Sequence, residues 1–387
     1  MERNSPRSTV GDIMLEFAGL TGLAPSGEAP RRYLWTDAFA VCNFLELFRR
    51  THDESYRELA LRLVCQVHHV LGRHRDDDPR AGWISGLGDE EGERHPTGGG
   101  LRIGKRFSER PVGEPPDERL EWDRDGQYYH YLTKWMHALN RVSRVTGDAT
   151  YAGWGVELAQ TAHARFTCVP PAGGRKRLYW KMSIDLARPL VSSMGQHDPL
   201  DGLLTCGELQ AAATGDPGHG LDAETADLAA ICSGMSWVTD DPLGLGGLLS
   251  DAWRLAQLLQ RGTFRDTALL ETILASALLG LEAFTADNPL KYRARQRLAF
   301  RELGLAIGLK GVAKLQGWLA ENSGLFDRMN PVQRQAAALM EYLPLGEIIE
   351  RFWLDGKNRD GGNWVEHREI NMVMLATALA PDGFLTI

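Results

Sequence analysis

The sequence is short of the features that would place it in a membrane, on nucleic acid or in a well-known catalytic class. No run of about 18 apolar residues, the length a membrane-spanning helix needs, is evident. The best candidate, Leu298 to Leu315, is broken by Arg301, Glu302, Lys310 and Lys314. No apolar core follows the polar stretch Met1 to Val10, so a secretory signal is not expected and a cytoplasmic location is. No dense Lys/Arg block occurs. The strongest basic run is Arg175-Lys176-Arg177, in a chain of net charge −8. Nucleic-acid binding needs a broader basic face, so neither nucleic acid nor a membrane is expected as partner. The five cysteines, Cys42, Cys65, Cys168, Cys206 and Cys232, are odd in number and form no Cys-x-x-Cys pair. Reduced thiols follow, with Cys42 and Cys65 expected in the core. Gly98-Gly99-Gly100 is not followed by Gly-Lys-Ser/Thr, and no Gly-x-Ser-x-Gly elbow occurs. His68-His69 and the pair His130 and His137 match no zinc spacing, so no metal and no cofactor is expected.

What is present is helical. The chain has 387 residues, 43% hydrophobic and 24% charged, enough apolar material for a sizeable core. Phe39, Cys42, Phe44, Leu45 and Phe48 follow the three-and-four spacing of a buried helix face. Leu59, Leu63, Val64 and Val67 repeat it in the next segment. The same periodicity predicts helices over Lys181–Met194, Gly244–Gln260, Thr267–Phe284, Leu298–Ala320, Pro331–Trp353 and Asn363–Ala380. Pro189 and Pro344 are expected to kink or split two of them. Shorter helices are expected over Thr9–Leu20, Thr205–Ala213 and Ala223–Cys232. Strand alternation is confined to Leu178–Lys181, where a small ribbon with another loop is expected. The expectation is one all-α domain over 1–387. Its long Gly- and Pro-rich irregular stretch, His74–Asp125, is either a pocket wall or a surface insertion.

One unit recurs. Thr51-His52-Asp53-Glu54-Ser55-Tyr56 aligns with Thr146-Gly147-Asp148-Ala149-Thr150-Tyr151, ninety-five residues later, and Leu47 then matches Val142. The Asp can cap the second helix of each hairpin. Trp35-Thr36-Asp37-Ala38 opens what reads as an inner helix. These repeated helical pairs, with Thr-x-Asp-x-x-Tyr between helices, resemble the six-hairpin glycosidase superfamily. The resemblance implies an (α/α)6 toroid with a pocket formed by inner-helix ends and loops. It also implies chemistry on sugars, whether hydrolysis or epimerisation.

Glycosyl hydrolysis uses two carboxyl groups beside aromatic platforms. Asp37, at the head of the Trp35 helix, is the first candidate. The cluster Glu121-Trp122-Asp123-Arg124-Asp125, followed by Tyr128 and His130, supplies Asp123 and Asp125 as acid or base and Trp122 as a platform. The loop Met194 to Gly202 offers His197 for proton transfer and Gln196 for binding. Trp237, Trp364 and Glu366 complete the candidate binding set. Each has a plainer reading: a first-turn acid, a solvated charged face, a turn histidine or a capped terminal helix. A glycoside hydrolase acting on a small saccharide is the leading expectation. A sugar epimerase or isomerase using His130, His197 or His367 is the second. A non-catalytic helical scaffold or ligand-binding protein is the third. The oligomeric state is left open.

Overall fold

The computed structural model describes residues 6–25, 29–170, 173–212, 220–322 and 331–387. The chain begins with α1 (Pro6–Leu20), then α2 (Leu34–Thr51) and α3 (Glu54–Leu71). Two short helices, α4 (Asp89–Arg94) and α5 (Glu118–Asp123), precede α6 (Tyr129–Thr146) and α7 (Ala149–Phe166). The turn motif works in both hairpins as its sequence implies. Asp53 accepts from the Ser55 amide (3.0 Å), and Asp148 accepts from the Thr150 amide (2.9 Å). Thr51 Oγ1 donates to the Leu47 carbonyl (2.7 Å), and Thr146 Oγ1 donates to that of Val142 (2.8 Å). The residue between helices is left-handed in each, His52 at φ 58° and Gly147 at φ 75°. Every boundary of α2 and α3 is displaced by the same ninety-five residues from its counterpart in α6 and α7. The repeat therefore runs the full length of both hairpins, back to Tyr33 and Tyr128 at the helix heads.

Two compact units divide the chain. In the unit Ala18–Met235, α2 packs on α3 and α6, and α6 packs on α7 and on α8 (Asp198–Ala212). Helix α9 (Asp222–Cys232) covers α8. Helices α2, α6 and α8 form an inner row, with α3, α7 and α9 outside it. The inner helices bury polar groups in pairs, as a low-dielectric interior requires. His137 Nδ1 lies 2.7 Å from Glu208 Oε2. Trp135 Nε1 donates to His68 Nε2 (3.1 Å), and burial lowers the His68 pKa to about 3, which keeps its ring a neutral acceptor. Cys42 is buried, but Cys65, expected in the core, is exposed one helical turn before His69. Its position falls on the solvent side of α3.

The segment Lys181–Met194 is not helical. It forms β4 (Lys181–Met182) and β5 (Pro189–Val191), after β1 (Gln127–Tyr128), β2 (Thr167–Cys168) and β3 (Arg177–Leu178). Strand β4 pairs antiparallel with β1 and β5, while β2 pairs with β3. Side-chain chemistry overrides the apolar spacing here. Ser183 Oγ accepts from the Ala187 and Arg188 amides, so a side-chain-closed turn replaces helical bonding just before Pro189. The polar loop once expected to end a helix instead leads into α8, and Asp198, Pro199 and Asp201 form its first turn. Ala213, the last residue expected in that helix, lies outside the described residues.

The stretch His74–Asp125 is mostly irregular yet firmly tied down. Gln127 accepts from the Leu101 amide (2.8 Å) and donates to the carbonyls of Gly99 (3.0 Å) and Ile184 (2.7 Å). Gly100 (φ 75°) makes this approach possible, since a Cβ there would sit 2.1 Å from Gln127 Oε1.

The other unit comprises Ser236–Ile387 with Met1–Phe17. It holds α10 (Pro242–Gln260), α11 (Ala268–Ala286), α12 (Ala299–Glu321), α13 (Pro331–Leu339), α14 (Leu343–Leu354), α15 (Gly362–Glu366), α16 (Arg368–Leu379) and α17 (Asp382–Leu385). Helices α10 and α12 meet backbone to backbone, since a Cβ on Gly246 would lie 2.0 Å from the Gly304 carbonyl oxygen. The expected helix Pro331–Trp353 is split by the 3-10 turn Met340–Tyr342 ahead of Pro344, and Asn363–Ala380 breaks at His367. Helix α11, rather than Leu298–Leu315, is long and apolar enough to cross a membrane by length and composition. Its Leu270, Ile273, Leu274, Ala277, Leu281 and Phe284 form a buried stripe at helical spacing, and α11 packs on α10 and α13.

Candidate functional site

Three inner-helix heads of the unit Ala18–Met235 carry a linked group of aromatic and ionisable side chains. Tyr33 precedes α2, Tyr128 to Tyr131 open α6, and Asp198 opens α8. Tyr33 and Tyr131 share a hydroxyl–hydroxyl hydrogen bond of 2.6 Å. The His130 ring stacks on Tyr128 (centroids 5.3 Å, planes 29° apart) and lies nearly parallel to Trp180 (6.1 Å, 13°). Tyr131 meets His130 edge-on at 4.9 Å. Trp122 leans on Trp180 at 5.2 Å and is 53% exposed, extending the aromatic surface towards solvent.

His130 is the reactive-looking member of this group. Its side chain is 27% exposed, and Nδ1 lies 3.7 Å from Asp198 Oδ1, too far for a hydrogen bond. Neither His130 Nδ1 nor Asp198 Oδ2, both covered from solvent, meets a hydrogen-bond partner. Two groups of complementary chemistry thus face each other without closing. Gly195 leaves room for this carboxylate, because a Cβ there would come within 2.5 Å of Asp198 Cγ and both its oxygens.

Beneath the aromatic surface lies a layer of buried charge. Lys181, fully buried, donates to the carbonyls of Glu121 (2.6 Å) and Arg124 (2.8 Å) and lies 3.3 Å from Glu121 Oε2. Burial lowers its pKa against the opposing pull of Glu121. Asp125 is also fully buried. Its Oδ2 accepts from Arg102 (2.6 Å) and Arg75 (3.3 Å), and its Oδ1 accepts from the amides of Gly104 (3.0 Å) and Gly126 (3.1 Å).

Asp37 is buried in the first turn of α2. Its Oδ2 accepts from the Tyr33 amide (2.9 Å), and its Oδ1 lies 3.4 Å from Arg32 Nη1. Burial outweighs both partners and pushes its pKa up to about 6. An acid whose folded pKa exceeds its ordinary 3.8 holds its proton more tightly when folded. Its favourable contribution is therefore complete below about pH 4 and declines as pH rises to about 6, by about 3 kcal/mol in all. Asp37→Asn keeps an acceptor for the Tyr33 amide. Relative to the parent, it is expected to gain stability by up to about 3 kcal/mol between pH 4 and pH 7. Urea unfolding at the two pH values checks this; a difference independent of pH would contradict it.

The structure brings together Trp122, Tyr128 and His130, while Gln196 and His197 lie in the loop that leads into Asp198. Asp123 ends α5 as an exposed residue, and Trp35 is buried against Phe39 (4.5 Å). Trp237, Trp364 and Glu366 belong to the other unit. Trp237 is buried there, Trp364 stacks on Trp353 (5.6 Å, 24°), and Glu366 is exposed. His367 contacts Phe300 edge-on. The candidate site set omitted Tyr33, Tyr131, Trp180 and Asp198. Extending the ninety-five-residue register back from the turns pairs Tyr33 with Tyr128 and Trp35 with His130, a signal that points to Tyr33.

The sequence matches no protein-family model and no curated protein sequence. Solved structures do match along nearly all of it. One is a sugar epimerase from a ruminal bacterium, at 10% identity over 96% of this chain and 97% of that one, TM-score 0.53. Another is a GH76 alpha-mannanase from Bacteroides thetaiotaomicron, at 11% identity over 99% and 100%, TM-score 0.54. At this identity the likeness is one of fold, and the all-α hairpin architecture of this chain is of the kind its repeat implied.

Proposed function

We propose that the protein is a carbohydrate-active enzyme whose chemistry is proton transfer at a carbon next to a sugar carbonyl, an epimerisation or isomerisation, with His130 as a proton-transfer group. The observation that carries this reading is His130 itself. Its ring packs against Tyr128 and Trp180 and is partly open to solvent, and Nδ1 lies 3.7 Å from the Asp198 carboxylate, whose Oδ2 is covered and meets no hydrogen-bond partner. Apo enzymes often leave such contacts long and tighten them around substrate. His197 directly precedes Asp198 in the chain and is the second imidazole that this reading assigns. In an epimerisation one imidazole removes the carbon-bound proton and the other returns a proton to the opposite face. The negative charge that develops on the sugar oxygen meets the N-terminal ends of α2, α6 and α8, where helix dipoles favour an anion. The exposed face of Trp122, with half-buried Trp180 beside it, suits the apolar face of a sugar ring.

Hydrolysis is the second reading, favoured by Asp37, whose pKa near 6 suits a general acid. Against it, both Asp37 oxygens are already engaged by Tyr33 and Arg32, and both Asp125 oxygens by arginines and amides. Similar structures of both chemical kinds are known for this fold, a sugar epimerase and an alpha-mannanase. The five free cysteines accord with a reducing, cytoplasmic setting in which small saccharides are the natural substrates.

Proton NMR of the protein with a panel of free sugars and oligosaccharides in D2O tests the proposal. Epimerisation or isomerisation gives new anomeric signals with deuterium incorporated at the reacting carbon. Release of reducing ends without deuterium incorporation would favour hydrolysis instead. Gly195→Ala gives a finer check on the His130–Asp198 pair. The added methyl must displace the carboxylate, so turnover is expected to drop about tenfold with the fold retained. Unchanged kinetics in this variant would remove Asp198 from the mechanism.

A further inference from the structure

The cations around this cluster are almost all spoken for. Arg32 pairs with Asp37, Lys134 with Asp201 (2.8 Å) and Lys181 with Glu121. Lys105 is different. Among the described residues it forms no ion pair, and its amino group sits 5.3 Å above the Tyr33 ring. Tyr33 in turn bonds Tyr131, which packs on His130 and Tyr128. The charge of Lys105 also adds a little to the lowering of the Lys181 pKa, which burial dominates. Lys105 is half-buried, and the backbone before it is fixed. Gly104 is left-handed (φ 89°), and its amide is held by Asp125. A Cβ on Gly104 would lie 2.2 Å from the Arg32 carbonyl oxygen, so the loop is pressed against the chain that leads into α2.

An ammonium group held beside a sugar-sized aromatic surface, with no carboxylate of its own, is a recognition element for an anion. We propose that the substrate of this site is an anionic sugar, one bearing a carboxylate or a phosphate, and that Lys105 is the specificity-determining residue that binds its charged substituent. The inference rests on the carbohydrate reading of the cluster and adds the charge of the substrate. The chain's overall charge of −8 makes a local cation more telling, since the global field repels such a substrate.

The test compares the wild-type protein with Lys105→Met and Lys105→Arg, each first checked for an unchanged melting profile. Three groups of probes are used: glucuronate and galacturonate, glucose 6-phosphate and mannose 6-phosphate, and the neutral glucose, mannose and cellobiose. Turnover is followed by proton NMR, and binding by ligand line broadening. The expected result is that an anionic sugar binds at least tenfold better than its neutral counterpart. Lys105→Met should raise KM for it about tenfold with little change in kcat, and Lys105→Arg should restore most of the loss. Neutral sugars should be indifferent to the substitution. Whether uronates or sugar phosphates show the Lys105-dependent KM identifies the anion. Neutral sugars handled equally well, with Lys105→Met silent, would overturn this proposal and leave the carbohydrate reading standing. No binding or turnover of any sugar would overturn both.

Discussion

Replacing His130 with glutamine is expected to leave the protein folded and to reduce turnover by about 10²- to 10⁴-fold, the usual worth of a positioned acid–base group. Glutamine fills much the same space at the head of α6 and keeps a polar tip, but it does not exchange protons near neutral pH. The aromatic neighbours Tyr128, Tyr131 and Trp180 pack on the ring face, so some loosening of the cluster is expected in KM as well. The measurement that separates the two effects is deuterium exchange at the reacting carbon, followed with substrate in excess. A true proton-transfer role removes exchange at saturating substrate. A packing role raises KM and leaves the saturated exchange rate close to that of the parent. If exchange persists at the parental rate, His130 is part of the wall and His197 becomes the candidate base.

How far the sequence could be read depended on how local the physics was. The repeated turn was legible because each of its hydrogen bonds spans only two to four residues, from Asp53 to Ser55 and from Thr51 to Leu47. The same bonds fix where α6 ends and α7 begins, and the ninety-five-residue register carried back from them places Tyr128 and His130 at the other end of α6. The segment Lys181–Met194 was misread because its apolar residues mimic a helical stripe. What decides it is Ser183 closing a turn and the pairing of Lys181 and Met182 with Tyr128 and Gln127, which no periodicity records. The site was legible in its residue types and not in their roles. Asp125 looks like any loop carboxylate beside a tryptophan until Arg102 and Arg75 arrive, from 23 and 50 positions away. Asp198 gains interest only because a histidine from another helix faces it.

Asp125 gives the second large effect, and it is one of stability. Its carboxylate is fully buried and balances two guanidinium groups while anchoring the amides of Gly104 and Gly126. Removing one partner of a buried ion pair costs about 3–5 kcal/mol, because the remaining charge stays desolvated. Asp125→Ala strands buried Arg102 and frees both amides, while half-buried Arg75 keeps its pair with Asp77, so a loss within that range is expected in urea unfolding. Asp125→Asn retains an acceptor for the amides and should fall between the alanine variant and the parent. Limited proteolysis should cut the alanine variant within 74–125 first, since this residue and Gln127 tie that stretch to the helices. The sequence alone made Asp125 a candidate acid or base, and that role predicts the opposite pattern: lost turnover in Asp125→Asn with unfolding and proteolysis unchanged. The geometry favours the staple. Four donors converge on two oxygens, which leaves this carboxylate no free lone pair directed at a substrate and gives the loop its fixed path up to Lys105.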